Sequence, residues 1–289
     1  MKVGFFPNGS AAYPEVDLRM AFKAMAATGF TAVDIQAHAG IRDGLDSSGY
    51  PAEERRRIRA AAQKLGLEIS AVITSPGLAD TLASGAPLDL VSAIRLAVDV
   101  GARAVAVHPG GHTLPAASRP AAMDALRAEI QHAADAAQQS GVILLLDAIH
   151  PDGLLDSPAR LSTFLESVDR PGVAWNADPA FLVTAGFDLV GAVTELSPWI
   201  RHVHLKGVHG RWPDPVWTIP GDGEPSPLDA VRALRLGGYD GAVVAEVVAR
   251  PRGGDGTPRW PFEIALQRSF DAISRALGAA PSAVGLARG

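Results

Sequence analysis

The chain has 289 residues, no cysteine and a formal net charge of −5. The lack of cysteine excludes disulfide scaffolds, thiolate zinc sites, iron–sulfur clusters and thiol nucleophiles, and the acidic balance argues against a nucleic-acid binder that works by neutralising phosphates. A chain this long buries roughly three quarters of the surface that its unfolded form exposes, so it needs neither cross-links nor a structural metal to fold. No apolar run approaches the ~20 residues of a membrane span, and the opening Met1-Lys2-Val3-Gly4-Phe5-Phe6-Pro7 is too short in its apolar part for a secretion signal. A cytoplasmic protein without membrane or nucleic-acid partners is the expectation.

Short runs rich in Val, Ile and Leu alternate with Ala-rich amphipathic stretches along the chain. The spacing predicts strands over 2–6, 31–35, 67–73, 103–108, 142–147, 172–177, 200–205 and 241–247. Their near-continuous apolar character is that of parallel strands buried on both faces. Helices are predicted between them, over 17–28, 52–65, 87–100, 119–140, 158–168, 186–196, 226–237 and 261–277. Asp17 can cap the first, and Glu53 and Glu54 place negative charge at the positive end of the second. Gly29, Gly66, Gly101, Gly141 and Gly237 stand where helices should stop before the next strand. Eight strand–helix units joined by right-handed crossovers close into a (β/α)8 barrel. The rival, an open doubly wound sheet, is disfavoured because the first strand runs into Pro7-Asn8-Gly9-Ser10 and not into a glycine fingerprint for dinucleotides. The barrel is expected over residues 1–278, with a loose tail over 279–289.

Chemistry in such barrels collects at the C-terminal ends of the strands. There the fourth strand offers His108, the fifth Asp147 followed by His150, the sixth Asp178, the seventh His202 and His204, and the eighth Glu246. Side-chain alternation puts Asp147 on one face with Leu145, Asp178 with Asn176, Glu246 with Val244, and His202 with His204 and Lys206. A single strand-end acid is usually a turn former or helix cap. Acids and an imidazole from four successive buried strands are harder to explain, because unpaired buried charge costs several kcal/mol. Asp147, Asp178, His204 and Glu246 form an oxygen-and-nitrogen ligand set suited to Mn²⁺, Mg²⁺, Co²⁺ or Zn²⁺. His38, His112 and His132 are read as structural.

At these residues the chain resembles the sugar phosphate isomerase/epimerase group of xylose isomerase-like TIM barrels, which includes ketose 3-epimerases, hydroxypyruvate isomerase, inosose dehydratase and 3-dehydroshikimate dehydratases. The resemblance runs from the first strand to about residue 277 and is carried by Gly29-Phe30-Thr31-Ala32-Val33-Asp34, His202-Val203-His204-Leu205-Lys206, Pro220-Gly221-Asp222-Gly223, Gly238-Tyr239-Asp240-Gly241 and Glu246. It implies one divalent ion, Mn²⁺ first, on Asp147, Asp178, His204 and Glu246. It also implies Asp147 and Glu246 as the acid/base pair of an isomerase or epimerase that passes a small sugar or polyhydroxy ketone through an enediolate. His108, His150, His209 and Arg211 are the expected substrate contacts, and pairing of copies is common in the group.

The chain departs from the family's pattern at Asp147, where a glutamate is usual, at Phe181, where a histidine is usual, and at Gly207, where an aspartate is frequent. A lyase or dehydratase working on a keto-sugar or keto-cyclitol with the same metal and base is therefore a second expectation, and a non-catalytic metal-binding subunit a third. An endonuclease of abasic DNA, which shares the barrel, would need more strand-end histidines and a cationic face. Trp212, Trp217 and Trp260 are placed near strand-end loops, as sugar-facing walls or as packing.

Overall fold

The structure, a computed structural model, describes residues 1–7, 13, 16–37, 51–74, 77–85, 89–248 and 260–278; the expectations for His38 and for the 279–289 tail lie outside the described residues. The strands are β1 (Lys2–Phe6), β2 (Ala32–Ala37), β3 (Glu68–Thr74), β4 (Ala104–Val107), β5 (Ile143–Asp147), β6 (Val173–Ala177), β7 (Ile200–Leu205), β8 (Gly207–His209), β9 (Val216–Thr218) and β10 (Ala242–Glu246). Eight of them close a parallel barrel in the order β1-β10-β7-β6-β5-β4-β3-β2, and β8 pairs with β9 as a separate antiparallel hairpin. The expected strands all form, within a residue or two at each end. Around them run α1 (Leu18–Thr28), α2 (Ala52–Lys64), α3 (Leu78–Ser84), α4 (Leu90–Val100), α5 (Arg119–Ser140), α6 (Pro158–Val168), α7 (Pro179–Thr184), α8 (Leu189–Leu196), α9 (Pro227–Leu236) and α10 (Phe262–Gly278). None of these helices is long and apolar enough to cross a membrane.

Local signals explain most boundaries. Asp17 accepts hydrogen bonds from the amides of Arg19 and Met20 at the start of α1, and Gly29, Gly101 and Gly141 end α1, α4 and α5 in the left-handed region. After α9 the left-handed residue is Gly238, with Gly237 in an ordinary conformation, one position later than the sequence suggests. Helices α3 and α7 and the β8–β9 hairpin are additions to the expected pattern. With seven, six and three plus three residues, they are too short to display a helical or strand period.

Two apolar layers hold the barrel. Outward-facing strand residues pack under the helices, and Phe6, Ala71, Ile73, Ala104, Ala106, Leu145, Ala174 and Val244 fill the interior. Alanines on β3, β4 and β6 leave room for Phe6 and Leu145, the large-and-small fit that close packing requires. Strand register sets the heights of the mouth residues. Asp147 lies beside Asn176, and Val244 beside His204, so Glu246 stands two residues above the His204 level, where Lys206 follows β7.

The hairpin roofs one side of this mouth, and Gly207 is the reason it can. A Cβ on Gly207 would come within 2.6 Å of the Ile219 carbonyl oxygen and nearer still to that of Asp222. An aspartate, which the resemblance leads one to expect at this point, has no room here. Gly207→Ala is expected to destabilise the protein by about 1–3 kcal/mol through overpacking against backbone, measured by denaturant unfolding; an unchanged midpoint would show that the roof yields without cost.

Candidate metal and substrate site

The C-terminal mouth opens into a cavity of about 600 Å³ lined by Asp147, Glu246, Lys206, His108, His112 and His150 together with Gln36, Phe6, Phe181, Trp212 and Trp217. Its floor is a chain of polar contacts that begins at Asp34 on β2. The Oδ1 atom of this fully buried carboxylate accepts from Ser70 Oγ at 2.6 Å and from the Ala71 amide at 3.0 Å. Its Oδ2 faces His202 Nε2 at 2.7 Å and His204 Nε2 at 2.9 Å. Burial opposes its charge, but the two histidines outweigh burial and hold the carboxyl well below the usual range.

With Asp34 at Nε2, His204 turns Nδ1 towards the ligand side, 3.4 Å from Glu246 Oε2 and 3.2 Å from Asn176 Nδ2. A histidine held at its outer nitrogen by a carboxylate is the usual support of a metal ligand. The ring stacks on Phe6 at 5.6 Å. Burial disfavours a proton on it, yet Asp34 and Glu246, one near each nitrogen, push its pKa up to about 10. A cation at Nδ1 would take the place of that proton.

Asp178 caps α7 through Oδ1, which accepts from the Ala180 amide at 3.0 Å. It is thus both the helix cap that a lone strand-end acid usually is and a member of the cluster, because its buried Oδ2 lies against Lys206, which lines the cavity. Lys206 Nζ lies 2.7 Å from this Oδ2 and 2.6 Å from Glu246 Oε2. The ammonium is almost completely buried and sits 4.5 Å from the Phe181 ring centre and 5.3 Å from that of Trp217. Phe181, the departure from a polar family position, therefore forms an aromatic lid over a cation. The two carboxylates share this ammonium unevenly. Burial works against charge on Glu246, but Lys206 and His204 hold its pKa down to about 2, whereas burial and the neighbouring Glu246 raise Asp178 against the pull of Lys206.

The donor types suit a divalent cation, but among the described residues the groups of three or more whose ligand atoms all lie within 4.8 Å of one another are Asp34, His202 and His204, and His108, His112 and His150; Asp147, Asp178, His204 and Glu246 are not drawn that close, and Lys206 stands between Asp178 and Glu246. Asp34, Asp147, Asp178 and Glu246 bring four carboxylates to a space with a single lysine ammonium. Among the described residues, Asp178 Oδ2 and Asn176 Oδ1 are buried acceptors without a hydrogen bond; Lys206 Nζ is close to the former but outside hydrogen-bonding angles. Asp147, one methylene shorter than the family's glutamate, is tied to the group through Asn176 Nδ2 at 3.4 Å. Burial opposes its charge, and His150, then His204, outweigh burial and lower its pKa.

The other expected residues divide. His108 and His150 line the cavity and touch each other, and Trp212 and Trp217 are wall residues, while Trp260 packs under Arg268 at 4.4 Å. His209 and Arg211 do not reach the cavity. Alternation along β8 buries Val208 and turns His209 outward to Asp222 at 3.2 Å, and Arg211 pairs with Glu224 at 2.8 Å, both side chains about half exposed. As substrate contacts they are corrected by this placement. Sequence reasoning left Asp34, Asn176 and Lys206 out of the site, although all three stand in or beside the motifs it singled out.

Asp34→Asn keeps the shape and removes the charge that orients both histidines. Mn²⁺ affinity should fall 10–100-fold, as for other supporting carboxylates, in isothermal titration; unchanged affinity would contradict the orienting role. Lys206→Met leaves Asp178 and Glu246 uncompensated. Stability should drop by about 3–5 kcal/mol without added metal, and Mn²⁺ should then raise the melting temperature of the variant more than that of the parent chain; equal shifts would contradict the shared-cation account.

The sequence profile described as xylose isomerase-like TIM barrel matches residues 22–270. A 3-dehydroshikimate dehydratase of Bacillus anthracis is 33% identical over 70 residues, 24% of this chain and 25% of that protein, so the chain matches only a quarter of this relative's length. Among solved structures, a D-psicose 3-epimerase crystallised in the presence of D-fructose superposes with a TM-score of 0.75 at 16% identity, covering 96% of this chain and 98% of the other. The IolI protein with a bound zinc atom gives 0.74 at 16% identity over 96% and 100%, and the probable 3-dehydroshikimate dehydratase AsbF of Bacillus anthracis gives 0.69 at 17% over 95% and 99%. At these identities the superpositions speak for the fold, and the profile match over most of the length decides the family: the chain belongs to the xylose isomerase-like TIM barrels.

Proposed function

We propose that the protein is a divalent-metal-dependent isomerase or epimerase of a small polyhydroxy ketone, with Asp147, Asp178, His204 and Glu246 as ligands. The observation that carries this reading is that Asp147 and Glu246 line one cavity from strands separated by β6 and β7 around the barrel, so two carboxylates reach a bound substrate from different sides. When bound, a divalent ion polarises a carbonyl and its neighbouring hydroxyl and lowers the pKa of the C–H bond between them; the neighbour with a bound zinc atom supports a divalent ion without naming which. Glu246 is ionised at neutral pH and accepts the substrate proton as the C–H electron pair moves into the enediolate. Asp147, a carboxylate at rest, would first take a proton from solvent; its return to the opposite face of the same carbon gives the opposite stereocentre, and to the neighbouring carbon the isomer, while Glu246 releases the abstracted proton to solvent. Phe181 and Trp217 exclude water and offer a flat wall to the apolar face of a sugar.

A second reading is a dehydratase. It starts with the same proton abstraction but expels a β-hydroxyl as water. The sequence match to a 3-dehydroshikimate dehydratase favours it specifically.

Incubating the Mn²⁺-loaded protein in D2O with keto-sugars and, separately, with 3-dehydroshikimate tests both. Isomerisation should give a product of unchanged formula carrying solvent deuterium at the exchanged carbon, and dehydration a product lighter by one water. Glu246→Gln should lower turnover by about 10²–10⁴-fold, the usual contribution of a general base. Full turnover in that variant, or no exchange and no product from any of these compounds, would contradict the assignment.

A further inference from the structure

Lys206 follows β7 directly and is almost completely buried, although a buried lysine is rare unless it is paired. Its ammonium reaches carboxylates from two other strands, 2.7 Å from Asp178 Oδ2 and 2.6 Å from Glu246 Oε2. Burial disfavours charge on Nζ, but Asp178, then Glu246 and Asp147, outweigh burial and keep it an ammonium. The rings of Phe181 and Trp217 cover it at 4.5 Å and 5.3 Å.

The oxygens that Lys206 meets are the ones these acids have left for an ion. Asp178 Oδ1 accepts from the Ala180 amide at 3.0 Å as the cap of α7, which leaves Oδ2, the atom against Lys206. Glu246 Oε2, the other atom against Lys206, is also the oxygen 3.4 Å from His204 Nδ1. That nitrogen is turned to the ligand side because Nε2 faces Asp34 at 2.9 Å. An ion held by Asp178, Glu246 and His204 therefore takes the same two oxygens as the ammonium. Small divalent ions hold carboxylate oxygens at about 2.0–2.2 Å. An ion there and Nζ in its observed place would be in contact, and like charges at that range repel strongly.

We infer that Lys206 is a tethered cation standing where the ion binds, and that an ion entering between Asp178, Glu246 and His204 drives its ammonium out into the cavity. Lys206 is then the residue that sets how tightly the ion is held, and ion uptake brings an N–H donor into the substrate space. The exit needs no movement of the main chain. The lysine stem is long and flexible, and Lys206, Phe181 and Trp217 all line the cavity, so the ammonium keeps an aromatic face as it leaves the carboxylates. The inference rests on the proposed reading of Asp178, His204 and Glu246 as ligands.

The chain has four lysines, Lys2, Lys23, Lys64 and Lys206, so amine labelling read by peptide mass spectrometry follows Lys206 separately. In the EDTA-treated full chain, Lys206 should react with an N-hydroxysuccinimide ester far more slowly than the exposed Lys2, Lys23 and Lys64. MnCl2 should speed the labelling of Lys206 and leave the other three unchanged. By isothermal titration, Lys206→Met should bind Mn²⁺ about 5–150-fold more tightly than the wild type, the usual span of a coupling between two ligands. Lys206→Arg, which keeps the positive charge, should gain nothing. Mn²⁺ bound by the wild type with Lys206 labelling unmoved would overturn the inference alone, as would a folded Lys206→Met variant with unchanged or weaker affinity. No Mn²⁺ uptake by the wild type or by folded Lys206→Met would overturn it together with the metal reading. If Lys206→Met does not fold, the wild-type labelling decides. Neither measurement uses a substrate, so failure of the isomerase reading remains separate.

Discussion

Negative charge buried beyond what the chain itself neutralises is the constraint around which the barrel mouth is organised. Asp34 lies within β2 and Asp147, Asp178 and Glu246 at the ends of β5, β6 and β10, and the positive charge among them is the ammonium of Lys206 and the imidazole of His204, whose pKa is pushed up to about 10. Left unpaired, such groups would cost several kcal/mol each. The chain reduces the cost by placing histidines between the acids: His202 and His204 on Asp34, His204 again on Glu246, and His150 beside Asp147. What remains uncompensated is concentrated at Asp178, where charge is disfavoured, and this is the deficit a divalent ion would fill.

The scaffold makes this arrangement rigid before any ligand arrives. Parallel register puts Asp147 level with Asn176 and lifts Glu246 above the His204 layer, so the acids differ in height as well as in angle. Small interior residues below them allow Phe6 to reach under His204. Above, the β8–β9 hairpin leans on Gly207, and Trp217 with Phe181 closes over Lys206. Groups held in fixed positions under an apolar cover act in a medium where electrostatic effects exceed those in water. The two halves of the mouth then differ in character. The β7–β10 side is ionic, and on the β4–β5 side His108 and His150 touch each other at 3.1 Å, with the Gly110 amide on His108 Nδ1.

Much of this was legible in the chain. Buried parallel strands announce themselves as short apolar runs, and their acidic or imidazole last residues stand out against that background, which is why Asp147, Asp178, His204 and Glu246 could be placed at one end of the barrel. What was not legible depends on approach across the barrel. Asp34 meets His202 and His204 over 168 and 170 residues of sequence, and no local pattern says that strands β2 and β7 aim side chains at one another. Lys206 read as the last member of an alternating strand face, and only the folded structure brings its ammonium between Asp178 and Glu246. His209 misses the cavity because a three-residue strand, too short to leave a period, turns it outward, and Arg211, in the loop beyond that strand, pairs with Glu224 instead. Gly207 looked like a lost acid; it is instead a place where two carbonyls leave no room for a side chain.

The central claim is that the acids and His204 share one cation. Anomalous scattering from crystals soaked in Mn²⁺ tests it most directly, because it locates the ion without reference to any reaction. The account predicts one anomalous peak bordered by Asp147, Asp178, His204 and Glu246. Crystals that take up no ion at that place, or that hold it among His108, His112 and His150, would contradict it.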